Sequence, residues 1–165
     1  MLVVGIDPGT ATTGYGLVRD LADGSLQVVD YGVILTTTDQ EMPDRLVALH
    51  QKLSELIILH QPDSGAVEKL FFQKNVRTAL SVGQARGVIL LAMAQKGLAV
   101  TEYTPLEVKQ AVVGYGGAEK GQVQQMVKAL LGLEDIPRPD DAADALAVAI
   151  CHLHSFQFHQ RLEGG

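Results

Sequence analysis

The sequence predicts an α/β domain in which helices flank one mixed five-stranded sheet, three antiparallel strands followed by two parallel ones. Three observations carry this expectation. Residues 2–36 read as three strands joined by tight turns, and residues 43–103 then alternate helix, strand, helix, strand. Everything after residue 105 has helical spacing and no strand signal.

Leu2 to Asp7 is a short run rich in Val and Ile, the mark of a buried strand. Pro8-Gly9-Thr10 turns the chain into a second strand, Thr13 to Asp20, whose Gly14 and Gly16 leave room for close backbone approach. Ala22-Asp23-Gly24-Ser25 is a hairpin signal, and Leu26 to Thr36 returns as the third strand. From Pro43 to His60, Leu46, Leu49, Leu53, Leu56 and Ile57 fall at helical spacing, with Asp44 in the first turn. Pro62-Asp63-Ser64 ends that pattern, and Gly65 to Leu70 is a fourth strand. Val76 to Lys96 is a long helix stopped by Gly97, and Leu98 to Tyr103 a fifth strand, so this crossover is parallel and right-handed. Pro105 to Val113, Glu119 to Leu131 and Asp140 to His159 complete the order βββαβαβααα. That order is the layout of a ribonuclease-H-like domain. One domain spanning 1–165 is expected, with about 156–165 as a flexible tail.

The 47% apolar content supports a sizeable core, and with no Trp and few aromatics that core must be aliphatic. A single cysteine, Cys151, excludes an internal disulfide and lies in an apolar helical stretch, where packing is its ordinary role. No basic and apolar leader opens the chain, and no apolar run reaches the roughly 18 residues of a membrane span. A soluble, unexported, cytoplasmic protein is expected. The net charge of −6 argues against nucleic acid as a partner until its distribution is followed. Residues 69–138 hold nine Lys or Arg against five Asp or Glu, and the remainder holds four against fourteen. The basic middle is therefore the candidate nucleic-acid face, although scattered cations also describe an ordinary solvated surface.

Four acids interrupt apolar surroundings. Asp7 ends Leu2-Val3-Val4-Gly5-Ile6, where an unpaired charge is costly, and Glu68 follows Gly65-Ala66-Val67 in the same manner. Taken singly, Asp7 also reads as a turn-opening residue and Glu68 as a surface strand position. Asp141 and Asp144 stand three apart at the start of the last helix and share a face. Acids there also suit a helix N-terminus, and Asp140 reads as the cap or a spare. Ala142, Ala143, Ala145, Leu146, Ala147 and Val148 surround Asp144 with small apolar residues that pack closely on a sheet. Four carboxylates brought together would suit Mg²⁺ or Mn²⁺, and two such ions serve phosphodiester hydrolysis. The five histidines are scattered on helices and read as packing or solvated residues.

In order and spacing, these motifs resemble one family. They are Gly5-Ile6-Asp7-Pro8-Gly9-Thr10 with Thr13-Gly14-Tyr15-Gly16, Ala66-Val67-Glu68 leading to Phe71, and Gly83-Gln84-Ala85-Arg86-Gly87. Val108-Lys109-Gln110, Ala118-Glu119-Lys120 and Asp141-Ala142-Ala143-Asp144-Ala145-Leu146-Ala147 follow. The chain resembles the RuvC Holliday-junction resolvases over residues 2–155. The resemblance implies a ribonuclease-H-like fold and a homodimer that nicks two opposed strands of a four-way DNA junction, in recombination and repair. It also implies Mg²⁺ dependence, with Mn²⁺ as a substitute, and partnership with the RuvAB branch-migration complex. It implies that Asp7, Glu68, Asp141 and Asp144 form the acidic cluster and that Lys109 and Lys120 contact DNA. Phe71, or its neighbour Phe72, would be the aromatic that stacks on unpaired bases. Two other readings compete. An actin-like ATPase shares the early D-x-G but needs a second phosphate loop and normally a second domain. A non-catalytic nucleic-acid scaffold has no need of four acids near phosphates.

Overall fold

Two apolar layers sandwich a twisted sheet, and the alternation of side chains along its central strand decides which residues face which layer. The computed structural model describes residues 1–69 and 76–163. In chain order the elements are β1 (Leu2–Asp7), β2 (Thr12–Asp20), β3 (Leu26–Leu35), α1 (Met42–His60), β4 (Ser64–Glu68), α2 (Val76–Gln95), β5 (Ala99–Tyr103), α3 (Pro105–Val113), α4 (Lys120–Leu130) and α5 (Asp140–Glu163). The strands lie in the order β3-β2-β1-β4-β5. β2 pairs antiparallel with both β1 and β3, while β1–β4 and β4–β5 are parallel, as the sequence predicts.

Leu2, Val4 and Ile6 of β1 point to the core under α1 and α2, together with Leu49, Leu53, Ile57, Ile89 and Met93. Val3 points the other way, into the core built by α3, α4 and α5. Period-two alternation therefore turns Gly5 and Asp7 toward the α5 side. In β4, Ala66 faces the α5 core and Val67 the α1/α2 core, so Ser64 and Glu68 share the α5 side with Asp7.

Helix α5 is the hub of the second layer. It packs on β1 and β2 beneath and against α3 and α4 beside it, and residues 145–153 are buried throughout. Glycine sets how near it lies. A Cβ on Gly5 would strike the backbone of Ala145 and Ala149, and one on Gly14 would strike the Asp141 carbonyl. Only hydrogen at those positions lets the helix backbone rest on the strands. Midway along it His152 is buried, with Nε2 3.0 Å from Ser64 Oγ and Nδ1 2.9 Å from the Tyr103 hydroxyl. Burial lowers the His152 pKa, and a neutral ring suits this bridge between helix and sheet.

Local chemistry fixes the helix ends. Thr104 and Glu107 form a reciprocal capping box on α3, the Thr104 amide donating to Glu107 Oε2 at 2.7 Å. Gly114, at φ 83°, closes the same helix. Most boundaries shift from expectation by a residue or two, and two of the shifts have a visible cause. Glu119 caps α4 rather than joining it, its amide donating to Gln122 Oε1 at 2.8 Å. Helix α5 runs on past His159 to Glu163, because no Gly or Pro interrupts it before Gly164. Among the described residues, no helix is long and apolar enough to cross a membrane.

Candidate active site

The ends of the two central parallel strands and the first turns of α5 meet at one place. Asp7 is the last residue of β1, and Glu68 ends β4 in the neighbouring register, one step beyond the Ile6–Val67 pair. Across β2 the partner of Asp7 is Gly14, the residue whose missing side chain admits the backbone of Asp141. Strand alternation and one glycine thus bring Asp7 and the N-terminus of α5 together. One turn later, Asp144 falls on the same helical face as Asp141.

Asp7, Asp141 and Asp144 each offer an oxygen, and these oxygens lie within 4.8 Å of one another. Glu68 stands beside this trio and is tied to it by a hydrogen bond between its side chain and that of Asp7. Burial, then the fields of Glu68, Asp144 and Asp141, push the Asp7 carboxyl up to about 9. Burial also raises Glu68, against the opposing pull of Asp7, Lys120 and Lys109. Asp144 is raised by burial and held down by Lys120. Crowded acids with little compensating charge keep a proton unless a cation replaces it.

The donor set is oxygen throughout, with no His or Cys in the group, which is the chemistry of a hard divalent cation. The residues present therefore fit such an ion. The histidines take other roles, as expected: His152 bridges helix and sheet, and His154 Nδ1 lies 3.0 Å from the Ala111 carbonyl oxygen.

Two cations stand at the rim. Lys109 and Lys120 line a cleft of about 230 Å³ together with Glu68 and Asp144. The capping box and Pro105 set the start of α3, which carries Lys109, and the Glu119 cap sets the start of α4, which carries Lys120. Lys120 Nζ lies 3.4 Å from Asp144 Oδ2 and 3.4 Å from Asp140 Oδ2. Phe71 and Phe72 lie outside the described residues.

The sequence sets Asp140 aside as a cap or a spare. It is the first residue of α5, and its carboxylate engages Lys120, Arg138 and Gln124. Those partners are held on α4 and the loop before α5, and no spacing rule reveals them.

A family model described as crossover junction endodeoxyribonuclease RuvC matches residues 3–152. The crossover junction endodeoxyribonuclease RuvC of Syntrophomonas wolfei is 57% identical over 163 residues, covering 99% of this chain and 94% of the relative. The solved Thermus thermophilus RuvC superposes with a TM-score of 0.91 at 35% identity, covering 96% of this chain and 97% of the other. T. thermophilus RuvC in complex with a Holliday junction substrate gives a TM-score of 0.88 at 33% identity, over 96% of each chain. The fold is that of a ribonuclease-H-like domain, with an acid cluster where two parallel strands end. The chain belongs to the RuvC family.

Proposed function

We propose that this protein is a crossover junction endodeoxyribonuclease in which Asp7, Glu68, Asp141 and Asp144 hold the catalytic cations. The carrying observation is the convergence of Asp7, Asp141 and Asp144 within 4.8 Å, with Glu68 hydrogen-bonded alongside. Such a group repels a phosphate diester unless divalent cations neutralise it. Magnesium is the proposed ion, two per site, with manganese as a substitute. When bound, such ions activate water and stabilise the leaving oxygen of an in-line displacement. The product ends are then a 5′-phosphate and a 3′-hydroxyl.

The protein's own groups supply position and charge. Lys109 and Lys120, at the rim of the cleft, bind backbone phosphates on either side of the scissile bond. Phe71 stacks on a base opened at the crossover. The substrate is a four-way DNA junction, resolved by paired symmetric nicks during recombination and repair. Two-fold symmetry of the junction calls for two sites, and a homodimer supplies them. Helix α2 is the proposed dimer surface, because Leu80 and Leu91 stand exposed on it. The RuvAB complex is the proposed upstream partner, in the cytoplasm.

A labelled four-way junction incubated with and without Mg²⁺ tests the proposal. Asp7→Asn, Glu68→Gln, Asp141→Asn and Asp144→Asn are each expected to lose at least ~10²-fold in cutting rate, about 2.7 kcal/mol of barrier. Junction binding and fold are expected to persist. A variant with near-normal turnover removes that residue from the site, and Mg²⁺-independent cutting overturns the cation reading.

A further inference from the structure

Asp140 precedes the first converging acid by one residue, yet its carboxylate turns to different partners. Its Oδ1 accepts from Arg138 Nη1 at 2.6 Å and from Gln124 Nε2 at 3.2 Å. Its Oδ2 faces Lys120 Nζ at 3.4 Å, the same distance that separates this ammonium from Asp144. Lys120 therefore stands astride two acids, one in the cluster and one outside it.

Stability does not account for this arrangement. The Lys120 side chain is 56% exposed and that of Asp140 48% exposed, and open ion pairs of this kind contribute little. Arg138 is also well exposed. The consequence lies in where the ammonium sits. Drawn wholly onto Asp144, where it already donates to Oδ2 at 3.4 Å, it would compete with a divalent cation for that carboxylate. Shared with a second acid, itself gripped from α4 and from the preceding loop, it is held at the mouth of the cleft. There it faces incoming phosphate.

We propose that Asp140 is a positioning residue for Lys120, sharing its ammonium with Asp144 so that it stays at the rim of the cleft rather than moving wholly onto the Asp144 carboxylate. This inference rests on the reading of the four acids as a cation site. Asp140 touches neither the reacting atoms nor the cations and acts through the lysine.

The test measures Mn²⁺ binding by calorimetry on the full chain without DNA, so no cleavage is read. Asp140→Asn, Lys120→Gln and the double variant are compared with the unmodified protein, each with a melting curve. Asp140→Asn is expected to weaken Mn²⁺ binding roughly 5-fold where Lys120 is present and to have no effect in the Lys120→Gln background, the coupling expected of contacting charged side chains. Equal losses in both backgrounds reveal only a long-range charge effect and overturn the proposal. Unchanged binding, or a shift in melting alone, overturns it as well. Should Asn compromise the fold, Asp140→Ser keeps a polar oxygen at the helix start and gives the same readout. If the unmodified protein binds Mn²⁺ no better than Asp7→Asn, the four-acid reading fails first and the role of Asp140 falls with it.

Discussion

Helices α2 and α5 are both rich in Ala, Val, Leu and Ile, yet they end in opposite environments. Residues 145–153 of α5 are buried on every side, by β1, β2, α3 and α4. In α2, Ala85, Ile89, Ala92 and Met93 are buried against the sheet and α1, while the opposite face stays open. Leu80 is 67% exposed and Leu91 51% exposed. Gly83 and Gly87 lie on the stripe between them, and a Cβ at either would meet nothing. Apolar character all round a helix means burial, but the chain itself supplies the cover only for α5. Among the described residues nothing covers the open face of α2, and the proposed dimer would cover it.

Glycines sharpen this contrast most strongly, because the same substitution has opposite consequences in the two places. Gly14→Ala pushes a methyl into the Asp141 carbonyl, a backbone atom of α5 that cannot rotate away. The expected cost is about 3 kcal/mol, the upper end for overpacking. Melting should fall by roughly 10 °C, and cutting should fall with it because Asp141 moves away from Asp7. Normal melting would show that α5 can lift off the sheet without penalty.

The open face of α2 is tested next. Leu91→Lys places a charge on the stripe and is expected to weaken self-association by ~10²-fold, about 2.7 kcal/mol. The variant should remain folded, bind junction DNA, and nick its two strands without coordination. Sedimentation showing the unmodified protein to be monomeric, free and on the junction, removes the dimer.

Most of the layout was legible because it depends on local rules. Period-two alternation from Val3 places Asp7, and from Ala66 places Glu68, on one side of the sheet, and i, i+3 spacing pairs Asp141 with Asp144. Gly14 and Gly16 announced a close approach in sequence, although not what approached. Other features were hidden because they join distant parts of the chain. Nothing near Asp140 in sequence points to Lys120, 20 residues earlier, or to Gln124. The bidentate bond of Arg86 to Glu102, at 2.7 Å to each oxygen, ties α2 to β5 and was equally invisible.

The acid cluster adds a pH-dependent difference to the α5 end of the molecule. In the folded, cation-free protein Asp7 keeps its proton up to about 9, whereas an unfolded carboxyl releases it in the ordinary carboxylate range. Between those limits the unfolded chain binds fewer protons, so stability falls as pH rises, by up to roughly 1.4 kcal/mol per unit. Asp7→Asn removes that slope. In chelator, the variant should melt above the unmodified protein at about pH 8 and near it at about pH 5, and Mg²⁺ should raise only the unmodified protein. Parallel pH profiles would mean that the carboxyls are not crowded in solution.

Gly87→Ala gives the smallest effect and separates the two environments most directly. Within one chain the added methyl meets open space, and alanine is the better helix former by about 1 kcal/mol. If α2 faces only solvent, the substitution raises melting by a few degrees and leaves self-association untouched. If α2 lies against its twin, the bare glycine stripe is where two backbones approach, and the methyl separates them. Dimer affinity should then fall while the isolated monomer gains stability. Preparing Gly87→Ala in the Leu91→Lys background makes the opposition visible. There the gain in melting should persist, because it belongs to the helix, and the loss in association should disappear. A gain in melting with unchanged dimer affinity in the Leu91 protein would place the interface elsewhere and leave the open face of α2 without a partner.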